Sequence, residues 1–141
     1  NNPEATENLK TEDGWLKTGD IGYQDLDGCW YVLGRAKECY ISGGENIYPA
    51  EIESVVSGYF AISEAIVIGV DDEKWGETGK LIIALRANQQ FDEDEFVSWL
   101  RLNIAAYKIP KQIEIVEEIP KTVTGKLDRK AVKERFGKPA S

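Results

Sequence analysis

Histidine is absent from this chain of 141 residues. That excludes a Ser-His-Asp or Cys-His mechanism and any histidine-ligated metal site. Cysteine is scarce: only Cys29 and Cys39 occur. They lack CxxC spacing, and two free thiols in a reducing cytoplasm are the simplest reading. Basic charge is also short. Seventeen Lys and Arg against 25 Asp and Glu give a net charge of -8, which argues against a nucleic-acid binder, whose surface must neutralise phosphates. No apolar run approaches the roughly 18 residues of a transmembrane helix, and no signal-peptide pattern opens the chain. Its first residues, Asn1 to Asn8, are polar and begin without methionine, as expected of a piece cut from a longer polypeptide.

At 42% hydrophobic and 30% charged residues, the composition is that of one ordinary globular domain, or of a small domain with a fragment of another. From Thr18 to Leu33 the pattern predicts a β-hairpin, with Asp27-Gly28 as its turn. Gly34-Arg35-Ala36-Lys37-Glu38 then breaks the apolar pattern and reads as a linker, beyond which the expected order is roughly β-α-β-β-α-β-α. Pro49 suits the first position of a helix, with Glu51 and Glu53 near its positive end. Ile52, Val55, Val56 and Tyr59 form one face of it. Two strands are expected at Ala65–Val70 and Leu81–Leu85, joined through a polar segment holding Trp75-Gly76-Glu77. Asp92 with Glu95 starts a second helix carrying Phe96, Trp99, Leu100 and Ile104. Gln112–Glu117 alternates as a strand, and Asp128 caps a last helix that turns Ala131, Val132 and Phe136 inward.

Three polar clusters could carry chemistry, and each also has an ordinary reading. Thr18-Gly19-Asp20 is either turn chemistry or a carboxylate that accepts hydrogen bonds from a sugar diol. Gly34 to Glu38, followed by Ser42-Gly43-Gly44-Glu45-Asn46, is either a flexible turn or a close approach to a ligand; no lysine follows Gly44, so it is not a P-loop. Pro120-Lys121-Thr122-Val123-Thr124-Gly125-Lys126 is either a solvated turn or a sharp bend from which Lys126 projects a mobile cation. Without histidine, a lysine working by charge is the best catalytic candidate.

Together these clusters resemble the adenylate-forming superfamily of acyl-CoA synthetases, peptide-synthetase adenylation domains and luciferases. The matching segments are Gly14-Trp15-Leu16-Lys17-Thr18-Gly19-Asp20, then Gly34 through Glu53, then Pro120 through Leu127. Smaller matches are Val67-Ile68-Gly69-Val70, Trp75-Gly76-Glu77 and Tyr107-Lys108-Ile109-Pro110. They run in family order from Gly14 to Lys126, and Gly43-Gly44-Glu45-Asn46-Ile47-Tyr48-Pro49 looks most like acyl-CoA synthetases.

The resemblance implies an α+β fold: a small C-terminal domain with a mainly antiparallel three-stranded sheet flanked by helices, preceded by a hairpin from the end of a large N-terminal AMP-binding domain. The implied boundaries are 1–34 for that end, 35–38 for a hinge and 39–141 for the small mobile domain. It implies a two-step ligase using a carboxylic acid, ATP and coenzyme A, with Mg2+ held by the N-terminal domain, which is the main partner. Asp20 and Arg35 would bind the nucleotide, Lys126 would be catalytic in adenylation, and Lys37 would be the hinge. Gly43 and Gly44 would line the path of the pantetheine, and Trp75, Tyr107 and Lys111 would touch the coenzyme A nucleotide. The chain by itself is expected to be inactive. The alternatives are an adenylating domain that loads a carrier-protein thiol, and a non-catalytic α/β interaction module.

Overall fold

The computed structural model of the chain describes residues 18–138; expectations placed on Asn1 to Lys17, including the Gly14-Trp15-Leu16-Lys17 half of the first motif, lie outside the described residues. Strands β1 (Asp20–Gln24) and β2 (Trp30–Arg35) pair antiparallel as a separate hairpin. Its connection is centred on Asp25 rather than being a tight Asp27-Gly28 turn. One Asp25 carboxylate oxygen accepts the N–H groups of Asp27 and Cys29, each at 2.9 Å, an Asx-type arrangement that replaces the two-residue turn. The expected linker is shorter than its apolar pattern suggests. Gly34 and Arg35 still belong to β2, and only Ala36–Glu38 leave the ladder, as one 3-10 turn. Both cysteines are free thiols.

A five-stranded sheet follows, built from β3 (Tyr40–Ser42), β4 (Glu45–Ile47), β5 (Ile62–Asp72), β6 (Gly76–Leu85) and β7 (Gln112–Val116). The long β5–β6 hairpin is antiparallel, and β7 runs parallel to β6. These central three are the strands expected from the sequence. The short β3–β4 hairpin extends them through a single pair, Ser42 with Gly76. Gly76 and Glu77 are strand residues, so the β5–β6 connection is confined to 73–75.

The apolar runs in β5 and β6 are nearly continuous because both faces of the sheet are covered. On one face Val67, Leu81 and Ile83 meet Ile52 and Val56 of α1 (Pro49–Val56) and Phe96 and Leu100 of α2 (Glu93–Asn103). On the other, Ile66, Ile68, Ile82 and Ile119 meet Val132 and Phe136 of α3 (Arg129–Phe136). The caps are local. Asp92 accepts from the Glu95 N–H at 2.9 Å, and Asp128 from the Ala131 N–H at 3.0 Å. Tyr59 lies beyond the end of α1 but is still buried, with its ring 4.9 Å from that of Phe96. Phe96→Ala therefore removes the middle of an aromatic cluster and is expected to cost about 3–5 kcal/mol of stability, read as a lowered denaturant midpoint at unchanged slope.

Two facing glycines seat the strand that follows the 3-10 turn. Gly69 and Gly79 pair across β5 and β6, and the Tyr40 ring lies over both. A Cβ at Gly69 would stand 2.6 Å from the Tyr40 Cβ, and one at Gly79 would stand 2.3 Å from its hydroxyl. Burial, with the charges of Glu77 and Cys39 nearby, pushes the Tyr40 phenol above its ordinary range. Among the described residues no helix is long and apolar enough to cross a membrane.

Candidate functional site

Lys126 sits on a braced turn. Lys121 and Leu127 form an antiparallel bridge. Between them the Thr122 N–H donates to the Lys126 carbonyl at 2.7 Å and the Gly125 N–H to the Thr122 carbonyl at 2.9 Å. The Thr122 and Thr124 hydroxyls meet at 2.9 Å. Gly125 takes φ +85°, a left-handed geometry that glycine adopts without steric cost. The backbone is thus fixed while the Lys126 side chain stays exposed. Its ammonium joins no ion pair among the described residues. Lys121, by contrast, is bound to Glu64 at 2.9 Å, and that hydrogen bond raises its pKa.

A second cluster forms at the start of β6. Gly43, Trp75, Tyr107 and Lys111, widely separated in sequence, line one cleft of about 170 Å³ together with Ser42 and Glu45. Gly44 stands next to it at φ +84° with open space around it. The Gly43 N–H donates to the Trp75 carbonyl at 2.9 Å, and a Cβ at Gly43, where φ is +58°, would stand 2.9 Å from the indole. Lys74 and Lys111 hold their ammonium groups 4.7 and 4.6 Å from the Trp75 ring centroid, within cation–π range. An exposed aromatic beside two cations suits a flat heterocycle carrying phosphates. The cleft and the Lys126 turn are far apart. Lys121 anchors on Glu64, which pairs with Ala84, whereas the cleft begins at Gly76. Eight positions along β6 span roughly 26 Å at 3.3 Å per residue.

Asp20 and Arg35 are direct partners across β1 and β2, joined by a 3.6 Å ion pair with both side chains exposed. Lys37 is exposed in the 3-10 turn.

Arg129, not singled out in the sequence, ties that turn to the sheet. Arg129 forks onto Glu53 of α1, Nη1 to Oε1 at 2.7 Å and Nη2 to Oε2 at 3.1 Å, and also donates to the Val67 carbonyl. Its Nε lies 3.4 Å from Glu38. Burial weakens the Arg129 charge, and the bonds and charges of Glu53 and Glu38 outweigh that, so its pKa is raised. Glu51 pairs with Lys108 at 2.8 Å. Both glutamates expected to serve the α1 dipole are thus also long-range ion-pair partners. A short apolar period carries no signal for such contacts.

A family model described as the AMP-binding enzyme C-terminal domain matches residues 51–126. The chain belongs to that family. Within it, the chain is 51% identical over 137 residues to a 2-succinylbenzoate–CoA ligase of Listeria monocytogenes, covering 97% of this chain and 29% of that protein. It is 44% identical to a feruloyl-CoA synthase of Amycolatopsis sp., covering 96% and 27% respectively. Among solved structures, the o-succinylbenzoate CoA synthetase of Bacillus subtilis in complex with its acyl-adenylate intermediate superposes with TM-score 0.87 at 40% identity, over 94% of this chain and 27% of that one. This AMP-binding C-terminal domain chain therefore spans little more than a quarter of the length of these relatives.

Proposed function

We propose that the chain is the C-terminal part of an AMP-forming acid–thiol ligase of the acyl-CoA synthetase type, working against a large N-terminal AMP-binding domain. In this reading residues 1–34 finish the large domain, 35–38 are the hinge and 39–141 rotate as the small domain. A carboxylate attacks the α-phosphate of ATP, releasing pyrophosphate and forming an acyl-adenylate. The thiol of coenzyme A then attacks the acyl carbon and AMP leaves.

The separation of the two candidate sites supports this most strongly. Anchor points roughly 26 Å apart along one sheet put the Lys126 turn and the Gly43–Trp75 cleft at different ends of the domain. A body that turns between half-reactions can present the Lys126 ammonium first and the Gly43–Trp75 cleft second. Lys126 would neutralise the approach of two anions. Asp20, with Arg35 beside it, would hold the ribose hydroxyls. Gly43 and Gly44 would let a thin pantetheine chain pass close to backbone, with Trp75, Tyr107 and Lys111 on the coenzyme A nucleotide. Exposed Tyr23, Leu26, Trp30 and Val32 on the β1–β2 hairpin fit a surface that packs on the large domain. Among the described residues no group of acidic or cysteine side chains could hold a metal ion. In this reading the magnesium that accompanies ATP is held by the large domain. The two free thiols suit a reducing cytoplasm.

The test is thioester formation by the full-length protein with ATP, a panel of carboxylic acids, and either coenzyme A or a phosphopantetheinylated carrier protein as acceptor. AMP, pyrophosphate and an acyl-CoA are expected. Transfer to the carrier alone would replace this reading with carrier loading, and no adenylate with any acid would remove it. The 141-residue chain by itself is expected to release no pyrophosphate.

A further inference from the structure

We infer that Arg129 is a positioning residue that couples the hinge to the Lys126 turn, so that one guanidinium sets where the catalytic ammonium arrives during adenylation. This rests on the reading of Lys37 as the pivot and Lys126 as the adenylation lysine.

Arg129 follows Lys126 by three residues and opens α3, so its position carries the turn with it. The same guanidinium grips Glu53 on α1 through two hydrogen bonds, at 2.7 and 3.1 Å, and Val67 on β5. Glu53 in turn accepts the Val67 N–H at 2.9 Å. Two helices and a strand therefore meet at one rigid fork, whose planar donors match a carboxylate bidentately. The fourth contact, Nε to Glu38 at 3.4 Å, reaches the residue directly after Lys37.

The coenzyme A cleft does not depend on this fork. Gly43 follows β3, which leaves the 3-10 turn directly in the chain. Its other walls hang on contacts that do not use the Arg129 guanidinium: the Gly43 N–H to the Trp75 carbonyl and the Lys111 N–H to the Gly79 carbonyl, both 2.9 Å, the Ile41 N–H to the Glu77 carboxylate at 3.0 Å, and Lys108, beside Tyr107, to Glu51 at 2.8 Å. The Lys126 turn is some ninety residues from the pivot in sequence and has no such short route. Loosening the fork should therefore misplace Lys126 and spare the cleft, since sub-ångström to ångström displacement of a catalytic group is costly in rate.

The decisive measurement separates the half-reactions in the full-length protein. Acyl-adenylate formation is followed by pyrophosphate release, and thioester formation is followed from preformed acyl-adenylate. Arg129→Lys, which keeps the charge and loses the fork, is expected to slow the first by about tenfold or more and the second by less than about twofold. Glu38→Gln, which keeps the side chain's size and removes the charge that faces Arg129, guards against a folding defect and should slow the first step by roughly threefold to tenfold. Equal losses in both steps, or none with Glu38→Gln, overturn the inference. Lys126→Ala is run in parallel: if it leaves adenylation intact, the underlying reading fails, whereas its loss beside unaffected Arg129→Lys and Glu38→Gln sinks only the coupling.

Discussion

Lys126→Ala in the full-length protein is expected to slow acyl-adenylate formation by about a thousandfold while leaving thioester formation from preformed acyl-adenylate within about twofold. The size comes from electrostatics. An ammonium about 4 Å from a unit negative charge contributes roughly 4 kcal/mol at an effective dielectric near 20, which is on the order of a thousandfold in rate. The carboxylate and the phosphate repel each other, so a cation between them is worth most where they are closest, in the transition state. The surrounding turn argues that the loss is catalytic and not structural. Its bracing comes from the Thr122, Lys126 and Gly125 backbone and the Thr122–Thr124 hydroxyl pair, none of which uses the Lys126 ammonium. Unfolding curves of the variant should overlay those of the wild type. Lys126→Arg is expected to recover only part of the rate, because a planar fork does not substitute for a compact point charge. A parallel loss in both half-reactions would show that the lysine acts through folding or docking.

The parts of this fold that could be read in the chain are those whose cause is local. Asp92 and Asp128 cap helices with their own side chains, within three residues of the N–H groups they satisfy. The paired apolar runs of β5 and β6 reflect burial on both faces, which any long stretch of Ile and Val reports. Of the β3–β4 hairpin the chain shows only one strand, without bounds, between the linker and the first helix. Three-residue strands contain too few positions to show alternation, and they join the sheet through one pair. Gly34 and Arg35 misled for a related reason. A glycine beside charged residues looks like a linker, yet the ladder partners Ile21 and Asp20 carry β2 through both positions.

The site divides along the same line. The Gly125-Lys126 turn is legible because its geometry is specified by adjacent residues. Gathering Gly43, Trp75, Tyr107 and Lys111 into one cleft needed the family resemblance, since nothing in their spacing brings them together. Arg129 was missed altogether. Its partners Glu38, Glu53 and Val67 come from three elements, and only the folded arrangement makes one guanidinium their common donor.

The mirror of the Lys126 result is expected at Gly43. Gly43→Ala should slow thioester formation by about a hundredfold and leave adenylation within about twofold, because displacing a contact wall by an ångström costs on the order of that factor. Two effects combine. At φ +58° a Cβ strains the backbone by roughly 1–2 kcal/mol, and the new methyl stands 2.9 Å from the Trp75 ring, which must shift and so change the shape of the cleft it lines. Gly44→Ala isolates the first effect. Its φ is +84° but its Cβ meets nothing within 4 Å, so the strain is expected to lower stability by roughly 1–2 kcal/mol and the thioester rate by about tenfold at most. The second effect is isolated by a double-mutant cycle. In a Trp75→Ala background the indole is gone, so Gly43→Ala should shrink to the Gly44→Ala level. If Gly43→Ala is as damaging with Trp75 absent as with it present, the collision is not the cause. The path of the thiol would then have to be sought away from this indole.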